Sequence, residues 1–529
     1  MNQTMKQWMS NGIGKMTVAG LAAALLFGTA PAASAMVWSE GRPLIQTRDV
    51  AGSGVFDELD GPADEAEFRH PAALLVLGDG SSILAADSGN HRIRLIRNGN
   101  VSVYAGTPVS VIFDEAGLPA GALSDGPAES SLFWNPTGLA ADRHGNVYVA
   151  DAANHAIRKI SPSGEVATVA GSGVLGHLDG AGSEALFHYP MDVAVDAEGN
   201  VYVADTLNHA IRKITPQGEV TTLNALSTRA VEAYDGVVVP AGGFADGPLA
   251  KALFNEPSGL ALDSGGNLYV SDTGNQRIRY IDFASGTVTT VAGGGDLAEN
   301  ALYAAGGYAD GPAAEARFNS PKGITVDRDG GVYIADSLNH AIRYLKDGRV
   351  TTVAGSAAGN YGYRNGFDEQ ALLDYPADVA VLPNGDLLVA DMYNNRIRKI
   401  EFYALPDGWT ADGTVRVLLN DRQIAFDRPP VIRSGRTMAP LDAVAKAAGF
   451  TVAAEGGEMV LSGDGRTISL AVGKSEITLR TDGQSTVTKA DVAPFVLDGV
   501  IYVPLRQLAE LAGMDIDWHA ETKTVIMRK

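Results

Sequence analysis

Six aspartates in this chain are each followed, seven residues on, by an arginine: Asp87/Arg94, Asp151/Arg158, Asp205/Arg212, Asp272/Arg279, Asp336/Arg343 and Asp391/Arg398. A carboxylate and a guanidinium at fixed spacing can line a polar ligand site. They can also satisfy one another inside a protein, where an unpaired charge is costly. An asparagine stands three residues after each aspartate. Histidine follows it in four copies (His91, His155, His209, His340), with Gln276 and Asn395 in the other two. Four imidazoles on one face could meet a metal, but Gln276 and Asn395 suit a ligand ring poorly, and Asn and His both suit tight turns. Further acids, Asp60, Asp125, Asp179, Asp246 and Asp310, each precede a glycine, with Asp57, Asp64 and Glu65 nearby. They are candidates for calcium, yet none has the spacing of a calcium loop, and Asp-Gly is a common turn dipeptide. There is no phosphate-cradling loop, dinucleotide fingerprint or nucleophile elbow. The expectation is no catalytic centre, no cofactor and no resident metal.

The elements that must carry these residues also repeat. The Asp-to-Arg stretch lies in six phrases: LAADSGNHRIRLI (84–96), YVADAANHAIRKI (148–160), YVADTLNHAIRKI (202–214), YVSDTGNQRIRYI (269–281), YIADSLNHAIRYL (333–345) and LVADMYNNRIRKI (388–400). A phrase such as DGPADEAEF precedes each, ending in Phe68, Phe133, Phe187, Phe254 or Phe318, or Leu in the last. A phrase such as VTTVAG follows the first five. Within one unit, PMDVAVD (190–196), VYVAD (201–205), AIRKI (210–214) and EVTTL (219–223) are short β-forming runs separated by turn residues. Four antiparallel strands repeated six times predict a six-bladed β-propeller. The sixth unit lacks its last strand, and the missing phrase stands at the other end as IQTRDVAG (45–52). That segment is expected to complete the last blade and remove the open sheet edges. The third strand is flanked by neighbouring blades, so its arginine is expected to be buried on the aspartate; the alternative is an arginine-lined ligand face. The repeated Phe reads as a core anchor. The turn after each central aspartate and the connection leaving each fourth strand belong to one face. The longest connections are 107–124, 226–245 and 294–309. Insertions on one face of a repeat protein often mark where it binds.

Lys6 and Lys15, an apolar run at 18–30 and small residues at Ala33 and Ala35 have the form of a secretory leader over 1–35. There is no Cys, hence no disulfide, and no other apolar run approaches a membrane span. The formal net charge is −21, and removal of the two leader lysines makes the remainder more negative still. Such a surface repels nucleic acid and anionic lipid. The expected location is outside the cell or on its surface, with no nucleic-acid partner and no membrane span after leader cleavage.

NPTGLAADRHGNVYVADAANHAIRKI (135–160) resembles an NHL repeat, a family named for its Asn-His pair, and the resemblance covers 45–402. It implies a six-bladed propeller used mostly as a binding platform; a minority of related propellers are lyases or lactonases. A short Pro/Gly linker is expected at 403–413. Beyond it, VRVLLNDRQIAFDRPPVIRSGRTMAPLDAVAKAAGF (415–450) and DGVIYVPLRQLAELAGMDIDWHAETKTVIM (498–527) resemble the copper amine oxidase N-terminal-like domain of secreted bacterial proteins. This gives a small α+β domain at 414–529, with two halves that each read strand, Pro-Leu, short helix, glycine. The resemblance implies a non-catalytic stalk with a docking or display role. Copper would need several imidazoles, and this region has His519 alone. The leading expectation is a secreted, non-enzymatic binding protein whose loop-rich face recognises a protein or a cell-envelope glycan, positioned by the C-terminal domain. The alternative is a metal-dependent lyase or hydrolase with its site at the central channel. There His70 and His188, just before two innermost strands, are the candidates. Oligomeric state is not readable from the sequence.

Overall fold

Alternating β-branched and aromatic residues between Gly, Asn and Pro turns leave each repeat one way to bury its apolar side chains: as a twisted sheet packed against the next. In a computed structural model, residues 38–39 and 42–529 are described, apart from 116, 356–358, 407–408, 410 and 482. The leader expected over 1–35 lies outside the described residues. Six antiparallel sheets form a ring. The third runs from the axis outwards as Pro190–Val195, Val201–Asp205, Ala210–Ile214 and Glu219–Thr222. The innermost strands touch in cyclic order, Pro71–Val76, Pro136–Ala141, Pro190–Val195, Pro257–Leu262, Pro321–Val326, Pro376–Val381 and back to the first. The ring therefore closes at six blades.

The last blade takes its outer strand from the N-terminal side. Ile45–Ala51 pairs antiparallel with Arg396–Phe402, Thr47 opposite Ile400. Each sheet also has a fifth, two-residue strip that four-strand reasoning does not anticipate. It comes from the Asp-Gly phrase: Gly126–Pro127 pairs with the outer strand Glu165–Ala170, and Gly366–Phe367 with Ile45–Ala51. Its glycines, such as Gly126 at φ 131°, hold a backbone conformation closed to other residues. The connection 226–245 is likewise not a bare loop: it contains a hairpin, Arg229–Tyr234 with Val237–Ala241.

The apolar core lies between blades rather than within them. Between the second and third blades, Ala150 and Ile157 pack on Phe187, Val193, Val203 and Ile214. Equivalent clusters fill the other five junctions.

The C-terminal α+β domain consists of two four-stranded sheets, the meander of five strands from Thr451–Glu455 to Gln484–Lys489, and the helices Leu441–Ala447 and Leu505–Leu511. Its doubled sequence appears as a pairing of equivalents, Arg436–Pro440 against Val500–Pro504 with Ala439 opposite Val503. Each helix follows a Pro-Leu step and stops at a glycine in the left-handed region, Gly449 or Gly513. The domain docks on the last blade through an apolar patch of Leu44, Phe367, Tyr403, Leu418 and Ile526. Around it, Gln46 Nε2 donates to Asp515 at 2.9 Å, Arg528 pairs with Glu401 at 3.0 Å, and Trp409 Nε1 donates to Thr524 at 2.9 Å. Tyr403 and Trp409, which composition places in a linker, are thus part of the contact. Among the described residues no helix is long and apolar enough to cross a membrane.

Candidate functional site

The repeated Asp–Arg pairs lie deep in the blades, and all twelve side chains are fully buried. Arg212 Nη1 stands 2.6 Å from Asp205 Oδ2. The same contact measures 2.7 Å in Asp87–Arg94, Asp151–Arg158 and Asp391–Arg398, and 2.6 Å in Asp272–Arg279 and Asp336–Arg343. The sequence spacing points to pairs, but the structure shows triads. A second carboxylate completes each arginine, and it comes from the Asp-Gly phrase: Asp179 lies 2.7 Å from Arg212 Nη2, and Asp60, Asp125, Asp246 and Asp310 serve likewise. In the last blade Asn365 takes that place, and Asp49 of the closing strand lies 2.7 Å from Arg398 Nε.

Two copies depart furthest from a simple pair. Arg279 donates to Asp246 Oδ1 through both Nε and Nη2, at 3.0 and 2.6 Å, and Arg343 grips Asp310 Oδ1 in the same way, at 3.2 and 2.6 Å. In Arg94, Arg158 and Arg212 the Nε atom lacks such a partner. Arg279 and Arg343 each also meet a second aromatic ring. Arg279 lies 4.8 Å from Phe244 and 4.9 Å from Phe254, and Arg343 lies 4.6 Å from Tyr308 and 5.3 Å from Phe318. The added ring comes from the connection ahead of the Asp-Gly phrase, so the local loop decides how tightly the fork is held.

Arg212 also donates to the carbonyls of Leu178 and Leu186 and covers the Phe187 ring at 4.8 Å. One guanidinium therefore ties a strand, the incoming connection and the anchoring Phe together. Asp205 further accepts from the His188 N–H and from Asn208 Nδ2. Burial pushes this carboxyl up to about 6 against the pull of Arg212, and Asp151, Asp336 and Asp391 share that value. None of the twelve residues lines the axial cavity, so they form no arginine-lined ligand face there. The geometry is that of a fastening.

The histidines join blades. Each ends a one-turn 3-10 segment in the left-handed conformation, His209 at φ 53°. Its Nδ1 accepts a backbone N–H from the next blade: His91 from Asn135, His155 from Tyr189, His209 from Glu256 and His340 from Tyr375, at 3.0–3.1 Å. Gln276 Oε1 accepts the Ser320 N–H and Asn395 Oδ1 the His70 N–H. Any short side chain with an acceptor oxygen or nitrogen serves here, which explains the two exceptions. Acceptance at Nδ1 requires the neutral ring. Burial lowers all four imidazoles, His209 to about 4.

A cavity of about 300 Å³ opens at the axis, on the side of these turns. His70, Tyr189, Tyr375 and Tyr393 stand around it, with Met191 and Lys322. His70 packs on Phe56 and Tyr393 at centroid distances of 4.9 and 5.5 Å. His188 does not line the cavity; its ring lies 5.8 Å from that of His155. The sequence reading of the channel missed the acids of the innermost strands. The third residue of those strands runs Ala73, Gly138, Asp192, Gly259, Gly323, Asp378 around the ring. Asp192 and Asp378 therefore come from opposite blades. Each accepts two backbone N–H groups at 2.8 Å, one from its own strand and one from the next blade: Val193 and Leu260 for Asp192, Val379 and Leu74 for Asp378. No cation pairs with either among the described residues. The glycines make the room: a Cβ on Gly138 would fall 2.6 Å from Asp192 Oδ1, and one on Gly323 2.2 Å from Asp378 Oδ1. Burial, and for Asp192 the facing Asp378, raises both carboxyls, Asp378 to about 7.

Among the described residues no group of three or more His, Asp or Glu side chains is arranged to hold a metal ion. His519 of the C-terminal domain is buried with Nδ1 2.7 Å from Thr522 Oγ1. A lone imidazole so engaged does not fit a copper centre.

The outer surface of the ring is sharply divided. Among the described residues its exposed large apolar side chains, such as Val111, Phe113, Trp134, Leu175, Tyr234 and Val238, all lie in the inter-blade connections or in the turns after the central aspartates. The hairpins at the other strand ends, such as 142–146 (DRHGN) and 327–331 (DRDGG), contribute none.

Comparison with known proteins identifies NHL repeats at 133–160, 187–214, 254–279, 318–343 and 373–400, and a copper amine oxidase N-terminal domain at 418–527. The first repeat, with Asp87 and Arg94, falls outside those matches but has the same geometry. The chain is 33% identical over 288 residues to Protein SUPPRESSOR OF QUENCHING 1, chloroplastic, of Arabidopsis thaliana (52% of this chain, 26% of that protein). It is 30% identical over 342 residues to human NHL repeat-containing protein 2 (60% of this chain, 44% of that protein). It therefore spans less than half the length of either relative. Among solved structures, an auxiliary nutrient binding protein from Bacteroides thetaiotaomicron aligns at TM-score 0.47 and 15% identity, over 68% of this chain and 76% of that one. A streptogramin B lyase aligns at TM-score 0.39 and 12% identity, over 68% and 98%.

Proposed function

We propose that this protein, a ring of NHL repeats carrying a copper amine oxidase N-terminal domain, is a non-enzymatic binding platform exported from the cell that makes it. The loop-rich face holds a protein or a cell-envelope glycan, and the C-terminal domain tethers or positions the ring. The observation that carries this is the division of the surface. Monomeric proteins seldom concentrate exposed apolar groups on one side unless that side is covered by something. Here Tyr234 and Val238 are 77% and 64% exposed at the tip of the inserted hairpin, and Phe113 is 57% exposed in the connection 107–124. The paired Asp, Arg and His residues hold the blades in register, so the connections can vary without loosening the ring.

The test uses the full mature chain against isolated envelope glycan and against envelope proteins of the producing cell. One variant lacks 229–241, another carries Phe113→Ser with Trp134→Ser, and a control carries Arg143→Ala with Glu198→Ala at the opposite end. Binding is expected to fall at least tenfold in the first two and to persist in the control. Equal binding by all three would remove the reading. A stoichiometric transition metal in the purified protein, with turnover lost on its removal, would replace it with the lyase or hydrolase alternative.

A further inference from the structure

We propose that the axial cavity is a binding site for a small zwitterion of amino-acid or dipeptide size. Its ammonium group would sit between Asp192 and Asp378, and its carboxylate would face Lys322.

Three features of the cavity point to this chemistry. First, the floor is acidic and has no counterion among the described residues: burial holds both carboxyls above the usual carboxylate range, and an ammonium seated between them would favour their ionised form. Each aspartate spends one lone pair per oxygen on backbone N–H groups, which fixes both carboxylates and leaves their remaining lone pairs for the channel. With no cation between them, each acid opposes ionisation of the other until a positive group enters. The glycines beside them show a ring built to admit two aspartates rather than to fill the axis with apolar side chains.

Second, the mouth carries an unpaired cation. Lys322 Nζ makes no hydrogen bond or ion pair among the described residues; it lies 6.0 Å from the Tyr375 ring, and Glu256 acts on it only through space. Glu256 is itself engaged by the Tyr303 hydroxyl at 3.0 Å. A dication would meet Lys322 as a like charge, and a simple anion would meet the two acids. A ligand with one charge of each sign, set apart, satisfies both levels.

Third, the wall between the two levels is aromatic and thioether. Tyr375 and Tyr393 stack at 4.6 Å, and Tyr189 and Met191 stand with them. This suits an apolar or aromatic body and supplies π faces for the ammonium. A volume of about 300 Å³ lies at the small end of ligand pockets, which excludes an extended glycan chain. The site is separate from partner capture by the connections, so loss of 229–241 should leave it intact.

The experiment is calorimetric titration of the full mature chain with the standard α-amino acids and glycyl dipeptides. Each binder is compared with its N-acetyl form, which lacks the ammonium, and its amide, which lacks the carboxylate. At least one member is expected to bind with submillimolar Kd, with both blocked forms at least tenfold weaker. Lys322→Met should weaken the zwitterion at least tenfold but not its amide, and Asp192→Asn should weaken both. Thermal unfolding of each variant near wild type shows that the ring is intact. Absence of binding across the panel at 10 mM (roughly −2.7 kcal/mol) would overturn the proposal. So would equal binding of the blocked forms, or stoichiometric calcium lost in Asp192→Asn, which would make the floor a metal site.

Discussion

Replacing Arg212 by alanine isolates the energetic value of one blade fastening. The guanidinium is fully buried and meets Asp205, Asp179 and two carbonyls. Removing one member of a buried ion pair leaves the other desolvated without a counter-charge, which costs about 3–5 kcal/mol. Two things limit the loss. Asp205 keeps its bonds from the His188 N–H and Asn208, and with its carboxyl already at about 6 it can take up a proton. We expect about 4 kcal/mol at pH 7.5. With ~2.1 cal/mol/K of unfolding entropy per residue over the ring, that lowers Tm by about 5 °C. The loss has a pH signature. A carboxyl raised above its unfolded value gives stability that is full below about pH 4 and declines as pH rises through its folded value. Without Arg212 the Asp205 value rises further, so the gap to wild type should narrow as pH falls from 8 through 6. Differential scanning calorimetry reads both effects. Arg158→Ala, in the same geometry, should match it, and Arg97→Ala at the exposed end of a strand should move Tm by less than about 1 °C. An Arg212→Ala protein within 1 °C of wild type at pH 7.5 would refute the fastening argument.

Arg279→Ala and Arg343→Ala remove a two-pronged grip and a second ring contact, so each should lower Tm by at least as much as Arg212→Ala; a smaller loss would show that the extra contacts add nothing. His209→Gln keeps an acceptor for the Glu256 N–H but removes a group that titrates. Burial holds this imidazole at about 4, so its contribution is present above pH 6.5 and lost as pH falls through 4. Relative to the Gln variant, wild type should lose up to about 3 kcal/mol over that window; parallel pH–stability curves would contradict the neutral-acceptor role. Deleting 45–52 exposes the edge of Arg396–Phe402 and strips Asp49 from Arg398. The truncated chain should self-associate, seen by light scattering as concentration-dependent growth, whereas a monomeric product would show that closure is dispensable.

Much of this architecture is written in local chemistry. Strand positions followed from β-branched runs between Asn, Gly and Pro turns. The closing strand followed from one phrase missing at 400 and present at 45. The Asp-to-Arg spacing is legible because a two-strand hairpin fixes it. What eluded a linear reading was contact between distant segments. Asp179 as second partner of Arg212 lies 33 residues away, and nothing in an Asp-Gly dipeptide separates a turn from a turn that also holds a guanidinium. Phe244 over Arg279 and Tyr308 over Arg343 come from connections of irregular length, where no repeat register exists to read. His209 reaching Glu256 requires knowing which blade comes next. The axial acids were visible in MDVAVD and PADVAV, but their facing depends on ring geometry: Asp192 and Asp378 face one another across the axis because two blades lie between them either way round.

Leu44 and Tyr403, the residues flanking the ring, are joined by a backbone hydrogen bond of 2.8 Å. The chain thus enters and leaves the propeller at one point. Tension applied between its two ends would pass through a single blade and bypass the other five. A tether at either end can therefore be pulled hard without distorting the face opposite, and the first thing to yield would be the seam where beginning and end are laid side by side.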